Sequence, residues 1–317
     1  MSSPIKIGIS ACLIGDKVRW NGQHKKDRFL VHTLGQYVDF IPVCPEVECG
    51  LGVPRETMRL VGDPDHPRLI TSKTRVDHTA RMKSWARERV NLLEQEDLCG
   101  FVFKKNSPSS GLWRVKVFNE KTGQPGRPGR GIFARAFTDR FPLVPVEEEG
   151  RLNDPKLREN FIEQIFTLQR WRRVLKERKT VGRLVEFHTR QKLLILSHSP
   201  KIYKEMGRLV AAGRKYRPKE VYGRYEALLV GALRLKSTPS KNSNVLQHIL
   251  GYFKKQLTSG EKREMLELID TYRKGHVPLI VPITLVNHYV RKYQQPYLMR
   301  QYYLNPHPVH LQLRNHV

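Results

Sequence analysis

Three cysteines are the residues best suited to chemistry in this sequence. Cys44 and Cys49 enclose Glu46 in a glycine- and proline-rich stretch, and Cys12 lies in a loop near the start of the chain. Thiolates are preferred ligands of iron–sulfur clusters and zinc. We expect the three thiols to share one soft-metal site. Three ligands would leave one iron of a cluster open to act as a Lewis acid on a substrate atom.

A carboxylate and a serine-rich loop could supply proton transfer next to such a site. Glu46 lies between two of the thiols, which makes it a candidate general acid or base. The run 105–111 offers serine hydroxyls and backbone N–H groups that suit an anion or a polarised base. Its candidate hydroxyls belong to Ser107, Ser109 and Ser110.

The cysteines also have a purely structural interpretation. Free cysteine packs well as a small hydrophobic residue, so burial in the core is the alternative to metal binding. Cys99 stands at the start of a hydrophobic segment, and we predict that it is a core residue. The Cys-x4-Cys spacing is not that of a zinc ribbon, and no second cysteine pair accompanies it.

Each of the three candidate loops follows a predicted strand. The strands are expected over residues 5–9, 36–43 and 98–103, and a helix is expected over 77–94. Open α/β sheets bind ligands at the carboxyl ends of their strands. The alternation of strands and helices predicts a Rossmann-like α/β domain over residues 1–148, with its chemistry at this edge.

Helical periodicity dominates the rest of the chain. Apolar residues recur at helical spacing, and convincing strands are absent. Helices are predicted over 155–178, 181–198, 202–212, 219–235, 243–257, 259–273 and 279–293. We therefore predict an all-α domain over residues 149–317.

The positive charge is concentrated in this second domain. The net charge is +27; residues 1–150 contain 24 Lys and Arg against 18 Asp and Glu, a net of +6, and residues 151–317 contain 33 against 12, a net of +21. A basic domain of this kind is typical of nucleic-acid binding. A dense basic run predicts phosphate contacts, although a solvated helix face is the alternative. Its candidate contacts are Arg170, Arg173 and Lys176.

Composition favours a cytoplasmic globular protein. Hydrophobic residues make up 39% of the 317 residues, and no apolar run approaches the roughly 20 residues of a membrane span. We expect no secretory signal and no membrane partner. Four cysteines in a chain of this length do not indicate a disulfide scaffold. The sequence leaves the oligomeric state open.

Three motifs of the first domain resemble those of the DUF523 family, whose studied members are the TudS thiouracil desulfidases. The motifs lie at residues 11–15, 44–55 and 107–111. The resemblance implies a [4Fe-4S] cluster held by three cysteines. Its fourth iron takes the sulfur of a thiolated uracil, and water replaces that sulfur without redox chemistry. The resemblance also implies catalytic roles for Glu46 and Ser107. Further candidate substrate contacts are Ser10, Lys105, Ser109 and Ser110.

One position departs from the family pattern. The third motif of the family usually carries a cysteine ligand where this sequence has Ser110. We predict that Cys49, which stands where many members have glycine, supplies the missing thiol. The predicted ligands are then Cys12, Cys44 and Cys49, with Cys99 as the fallback.

The second domain resembles the YbgA-type DUF1722 family in motifs at 187–192, 242–253 and 269–279. Chains that join the two families resemble the RudS-type tRNA 4-thiouridine desulfidases. This resemblance implies removal of sulfur from 4-thiouridine in tRNA. Our hypothesis is that the tRNA docks on the helical domain and that an extruded 4-thiouridine reaches the cluster. Further candidate RNA contacts are His188, Arg190, Lys192, Asn244 and His248.

The sequence thus predicts a [4Fe-4S]-dependent enzyme that removes sulfur from 4-thiouridine in tRNA, giving uridine and sulfide by non-redox hydrolysis. One alternative is a desulfidase of free thiouracil or of a thiouridine nucleotide. A second alternative is a non-enzymatic RNA-binding protein with a structural metal.

Overall fold

A parallel β-sheet lies at the centre of the N-terminal unit in this computed structural model, which describes residues 4–316. The chain divides into two compact units between Asn153 and Asp154. In chain order, the elements of the first unit are β1 (Ile5–Ser10), β2 (Val38–Val43), α1 (Pro45–Glu48), β3 (Met58–Val61), β4 (Arg68–Thr71), α2 (Thr79–Glu94), β5 (Gly100–Phe103), β6 (Val117–Phe118), α3 (Ile132–Arg140) and β7 (Val146–Glu148).

The parallel sheet has the strand order β2-β1-β5-β7 within the described part of this unit. Strand β5 is buried along its whole length, as expected for a strand that is covered on both faces. Helices α2 and α3 pack against it through Ala86, Val90, Phe133 and Phe137. Burying aromatic rings removes large apolar areas from water, so this cluster is a major source of stability for the sheet edge that carries the loops.

A second, smaller sheet has the order β4-β3-β6. Strands β3 and β4 form an antiparallel pair, whereas β3 and β6 run parallel. The segment before β2 forms a π-helical turn, Phe29–Thr33, followed by a 3-10 turn, Leu34–Gln36. Strand β2 therefore begins at Val38 rather than at residue 36.

Helices make up the regular structure of the second unit over residues 154–316, apart from short 3-10 turns. They are α4 (Pro155–Lys176), α5 (Val181–His198), α6 (Pro200–Ala211), α7 (Pro218–Leu233), α8 (Pro239–Leu250), α9 (Ser259–Arg273), α10 (Ile280–Lys292) and α11 (Pro296–Met299). These findings confirm the predicted fold class, an α/β Rossmann-like unit followed by an all-α unit.

Side-chain caps define where several of these helices begin. The Asp154 carboxylate accepts hydrogen bonds from two N–H groups of the first turn of α4, and Thr180 caps α5. Thr258 and Glu261 form a reciprocal capping box at the start of α9. Such caps satisfy N–H groups that have no partner within the helix. The core of this unit is centred on fully buried rings that include Trp171 and Tyr225.

None of the helices formed by residues 4–316 combines the length and the apolar character that a bilayer crossing requires.

Candidate active site

The loops that follow β1, β2 and β5 meet at one edge of the parallel sheet. Ser10 of β1 is aligned with Val43 of β2, and Ile9 with Val102 of β5. Parallel strands place their carboxyl ends at the same edge, where ligands bind in open α/β sheets. A cavity of about 400 Å³ opens at this edge. Its lining includes Cys12, Trp20, Cys44, Glu46, Ser107 and Ser110.

Two of the predicted metal-binding thiols lie in this cavity. Cys12 belongs to the turn after β1, and Cys44 is the N-cap residue of α1; both are buried. Burial raises the pKa of the Cys12 thiol to about 11. Burial, together with the negative charge of Glu46, raises the pKa of the Cys44 thiol to about 12. Both thiols are therefore protonated near neutral pH unless a bound cation displaces their protons.

Glu46 lies among a thiol, a guanidinium group and a hydroxyl group. Its Oε2 atom is 3.6 Å from Cys44 Sγ and 3.8 Å from Arg55 Nη2. Its Oε1 atom accepts a hydrogen bond from the Ser109 hydroxyl. A carboxylate held on both oxygens can accept and return a proton with little rearrangement. The geometry is thus compatible with the predicted acid–base role.

The serine loop, residues 105–111, is folded so that its hydroxyl groups form a chain of hydrogen bonds to the Glu46 carboxylate. Ser107 Oγ accepts hydrogen bonds from the backbone N–H groups of Ser109 and Ser110, at 3.3 Å and 3.0 Å, and lies 2.9 Å from Ser109 Oγ. The loop closes through the Gly111 N–H, which donates to Ser107 O at 2.7 Å. A Cβ atom at Gly111 would lie 2.6 Å from that same oxygen, so the turn requires glycine here.

Ser109 differs from the other serines in its exposure. It is fully buried behind Glu46, and it is absent from the cavity lining, whereas Ser107 and Ser110 are part of it. The structure therefore does not support the predicted direct contact between Ser109 and the substrate. Its side chain instead links Ser107 to Glu46 and holds the carboxylate in place.

The predicted substrate contacts Ser10 and Lys105 both line the cavity, as does Lys104. Ser10 Oγ accepts a hydrogen bond from the Lys104 N–H at 2.9 Å, which joins β1 to the loop after β5. The Lys105 N–H donates to Glu149 Oε2 at 2.7 Å, and the Lys104 ammonium group forms an ion pair with the same carboxylate. Glu149 thus fixes the start of the serine loop.

The structure does not bring Cys49 to the cavity. Cys49 is the C-cap residue of α1, its Sγ lies 3.3 Å from Glu46 O, and its side chain packs against a cluster that contains Leu60 and Met82. The prediction relied on the candidate loops lying past strand ends at the same edge of the sheet. Instead, one turn of helix separates Cys44 from Cys49 and directs the second thiol towards the core.

The donors in the cavity do not fit a cluster held by three cysteine thiolates. Among residues 4–316, no group of three or more His, Cys, Asp or Glu side chains has an arrangement that could hold a metal ion. Cys12 and Cys44 are the cavity thiols, and Ser110 stands where the family pattern has its third cysteine. Cys99 is buried at the start of β5, as predicted for a core residue, so the fallback ligand is also outside the cavity.

Sequence reasoning missed a base-sized aromatic surface and two cations at this site. Trp20 lines the cavity and remains 46% exposed, although tryptophan is usually well buried. Arg19 lines the cavity beside it. Arg55 joins two loops, since its N–H donates to Trp20 O at 2.8 Å and its Nη2 donates to Val18 O at 3.0 Å. The adjacent Arg19-Trp20 pair was the available sequence signal.

Two predicted RNA contacts, His188 and Arg170, are engaged within the helical unit. His188 is buried, its Nδ1 lies 3.2 Å from the Tyr225 hydroxyl, and burial lowers its pKa to about 4. Arg170 donates to Pro306 O and stacks 4.1 Å from the ring centroid of Tyr302. Both side chains support the core, so a direct RNA contact is not supported for either.

The other predicted RNA contacts differ in accessibility. Arg190 stacks 4.8 Å from the Tyr302 ring centroid, and Lys192 lies 4.9 Å from that of Tyr297, which leaves both half-buried. Asn244 is also half-buried. Three of these side chains are exposed, namely Arg173 and Lys176 on α4 and His248 on α8.

Polar residues of the helical motifs form a buried network rather than a surface. Asn242 Nδ2 donates to the Tyr272 hydroxyl at 3.1 Å, and the Tyr303 hydroxyl donates to Asn242 Oδ1 at 3.1 Å. Glu163 accepts from Arg314 at 2.9 Å and pairs with His198 at 3.0 Å. Buried polar groups must be paired, and the motif residues Asn242 and Tyr272 are satisfied within this interior network.

Two parts of the chain match family models. A family model described as 2-thiouracil desulfurase matches residues 7–149, and a model described as a protein of unknown function, DUF1722, matches residues 192–308. The uncharacterized protein YbgA of Escherichia coli (strain K12) is 33% identical over 153 residues, which cover 48% of this chain and 90% of YbgA.

One solved structure is also similar in sequence. It is described as the [4Fe-4S]-dependent thiouracil desulfidase TudS, with 27% identity, coverage of 47% of this chain and 94% of that chain, and a TM-score of 0.39. The motifs at the cavity and the two family matches agree with the predicted fusion of two domains. The chain therefore belongs to the family of YbgA, and it matches the DUF1722 model over residues 192–308 and the 2-thiouracil desulfurase model over residues 7–149.

Proposed function

We propose that this chain removes sulfur from 4-thiouridine in tRNA and releases uridine and sulfide by hydrolysis. The observation that carries the proposal is the position of Glu46. Its carboxylate lies in the cavity, held by Ser109 and close to Arg55 and the Cys44 thiol. Proton transfer by such a positioned group is what the replacement of sulfur by water requires.

The reaction balances without any change in oxidation state. The oxygen of a water molecule forms a bond to C4 of the base, the carbon–sulfur bond breaks, and the sulfur leaves as hydrogen sulfide. Glu46 accepts one proton of the attacking water and gives it to the sulfur. The second water proton moves from the new C4 hydroxyl to the sulfur as the carbonyl forms and hydrogen sulfide leaves. The Ser109 hydroxyl, itself 2.9 Å from Ser107 Oγ, keeps the carboxylate oriented through both transfers.

The entrance of the cavity suits a nucleotide better than a bare anion. Trp20 offers an exposed ring on which a base can stack, and base–aromatic stacking is tolerant of base identity. Arg19 and Lys105 line the same cavity and supply positive charge for a phosphate. The proposed cofactor is an iron–sulfur group bound at Cys12 and Cys44, because soft donors favour iron–sulfur groups.

The proposal that the substrate is tRNA depends on the positive charge of residues 151–317. The net charge of +21 over residues 151–317 favours a polyanion, and Arg173 and Lys176 are exposed on α4. A second candidate substrate is free thiouracil or a thiouridine nucleotide. The 2-thiouracil desulfurase match over residues 7–149 favours it, because that part of the chain contains the whole cavity.

One experiment separates these substrates. The protein is purified without oxygen and mixed with tRNA that contains 4-thiouridine, with 4-thiouridine monophosphate or with 2-thiouracil. Loss of the near-ultraviolet absorbance of the thiolated base is followed together with released sulfide. Faster turnover of tRNA than of either small substrate, abolished in Glu46→Gln, is expected. Turnover of the small substrates alone favours the second candidate, and no sulfide from any substrate contradicts a desulfidase.

A further inference from the structure

A polar cavity of about 210 Å³ lies between α10 and the C-terminal segment, residues 304–315. Positions 280, 283, 284, 287 and 291 of its lining recur at the spacing of three and four that places residues on one face of a helix. The C-terminal segment forms the other wall. The lining shares no residue with the cavity that contains Glu46, so this is a separate candidate site.

The C-terminal wall is held in place through Arg314. The Ile280 N–H donates to Arg314 O at 3.1 Å, which joins the segment to the start of α10. The buried guanidinium group donates to Tyr303 O at 2.7 Å and forms ion pairs with Glu159 and Glu163 of α4. A site that is ordered before its ligand arrives avoids the entropic cost of ordering on binding. The cavity is therefore preformed.

Four amide side chains line this cavity and are free to bind a ligand. Among residues 4–316, none of their side-chain oxygen or nitrogen atoms makes a hydrogen bond to another group of the protein. They belong to Asn287, Asn305, Gln312 and Asn315. An amide combines an acceptor oxygen with two donor hydrogens. Asn and Gln use this combination to pair with the edges of nucleobases.

The charge of the lining favours an anion. Among the residues that the structure describes, no Asp or Glu lines the cavity. Arg314 is neutralised by its two ion pairs, and burial lowers the pKa of His307 to about 4, so that this ring is neutral near pH 7. Arg291 is exposed, and its Nε donates to Asn287 O at 3.3 Å. The rest of that guanidinium group remains for a phosphate.

Apolar side chains complete the lining. Ile283, Leu304 and Leu313 are buried and contribute to it. Ligand sites typically combine such apolar surface with a few polar groups that fix the orientation of the ligand. A planar ring can lie on this surface while its polar edge meets the amides. Ring, polar edge and negative charge together describe a nucleotide.

We propose that this cavity is a second nucleotide-binding site, which takes a nucleobase between α10 and the C-terminal segment and the attached phosphate at Arg291. The occupant is a nucleoside monophosphate unit, either as a free molecule or as an unpaired nucleotide of an RNA. Both sources present the same base edge and the same phosphate. The proposal does not depend on the desulfidase reaction, because it concerns binding outside the cavity that contains Glu46.

Photolabelling of the full-length protein locates the site without any substitution. The protein is irradiated with 8-azidoadenosine 5′-monophosphate or 5-azidouridine 5′-monophosphate, and labelled peptides are identified by mass spectrometry. We expect label within residues 275–291 or 301–314, removed by the unlabelled nucleotide but not by the same concentration of inorganic phosphate. Absence of label from both segments, or equal displacement by inorganic phosphate, would overturn the proposal.

Two variants test the assigned contacts. Asn287→Leu removes an amide at similar side-chain volume, and Arg291→Gln removes the charge. The nucleotide concentration for half-maximal labelling of the two segments should rise about 3- to 10-fold in the first and about 10- to 100-fold in the second. Arg263→Gln, at an exposed arginine of α9 outside the lining, is the matched control and should stay within about twofold of the wild type.

Circular dichroism and thermal unfolding verify that each variant is folded. An unchanged labelling curve in a folded Asn287→Leu or Arg291→Gln would contradict the site, as would an equal change in Arg263→Gln. Labelling of the wild type still tests the site if a variant does not fold.

Addition of unmodified tRNA during labelling identifies the source of the nucleotide. Loss of label from the two segments assigns the site to an unpaired nucleotide of RNA, and retained label assigns it to a free nucleotide; both results support a nucleotide site. Failure of the proposed function has a different signature. A protein that is labelled in these segments but releases no sulfide from any thiolated substrate retains this site and loses the desulfidase assignment.

Discussion

Glu46→Gln should have opposite effects on turnover and on thiol reactivity. The substitution keeps the shape of the side chain and its hydrogen-bonding capacity towards Ser109, but it removes the charge. Turnover should fall because the amide cannot accept the proton of the attacking water. The thiols should become more reactive, because the negative charge of Glu46 contributes to the raised pKa values of Cys12 and Cys44.

The size of each effect can be derived from the contacts. Loss of a positioned proton-transfer group costs about 100- to 10,000-fold in rate, or roughly 3–5 kcal/mol of activation free energy. The side chains of Glu46 and Arg55 are each 12% exposed, and Glu46 Oε2 lies 3.8 Å from Arg55 Nη2. Loss of this ion pair should therefore lower the free energy of unfolding by only about 1 kcal/mol. Glu46→Gln should therefore remain folded while it is inactive.

Alkylation of the metal-free protein measures the second effect. The Glu46 carboxylate is 3.6 Å from Cys44 Sγ, so its removal favours the thiolate. We expect iodoacetamide to modify Cys44 about 3- to 10-fold faster in Glu46→Gln, after allowance for the lower nucleophilicity of a more acidic thiol. Peptide mass spectrometry resolves this rate from that of Cys99, which serves as the internal reference.

Glu56→Gln is the matched control. Glu56 is a second glutamate at the cavity, but its carboxylate is held by Thr74, whose N–H and hydroxyl donate to it at 3.1 Å and 2.7 Å. Its neutral variant should keep turnover within about threefold of the wild type. Full turnover in Glu46→Gln would refute the proton-transfer role, and lost turnover with unchanged alkylation of Cys44 would refute the electrostatic reasoning.

Four further outcomes are expected. The pKa of His188 is lowered by burial from 6.5 to about 4, so its contribution to stability is present above pH 6.5 and is lost as the pH falls towards 4; His188→Gln should remove up to about 3 kcal/mol of this pH dependence in urea unfolding. Trp20→Ala should weaken nucleotide binding by about 1–3 kcal/mol, seen as a raised KM, and Trp20→Phe should restore most of it. Charge reversal of Arg173 and Lys176 together should lower tRNA affinity and reduce the slope of log affinity against log salt by about 2, whereas an unchanged slope would remove α4 from the interface. Arg314→Met should destabilise the protein by about 3–5 kcal/mol in thermal unfolding, because it leaves paired buried carboxylates without their counter-ion.

Local signals were sufficient to predict most elements. The bounds of α5 and α9, Val181–His198 and Ser259–Arg273, coincide with the predicted ones because apolar periodicity and a capping threonine mark each start. The cavity edge was also predictable, since each candidate loop follows a buried strand of one parallel sheet. The parallel pairing of β1 with β2 then places the loops that carry Cys12 and Cys44 at the same edge.

Contacts between distant parts of the sequence were not predictable. Arg170 belongs to a basic run that indicated a solvated, RNA-binding face, yet it stacks on Tyr302, which is far from it in the sequence. Cys49 lies outside the cavity lining for a more local reason. The prediction treated residues 44–49 as an open loop, whereas Pro45 starts a helical turn that ends at Glu48 and reorients the next side chain.

The packing of the helices occupies the buried polar residues of the helical unit, so these residues are not available to contact RNA. Asn242 and Tyr272 bond to each other, and His198 pairs with Glu163 in the interior. Such residues specify how the helices pack, because a buried polar group left unpaired would be costly. The proposed affinity for tRNA must then come from exposed cations outside the motifs, among them Lys176 on α4. Binding of that kind recognises phosphates rather than bases, so selection of the thiolated nucleotide is expected to reside in the cavity that contains Glu46.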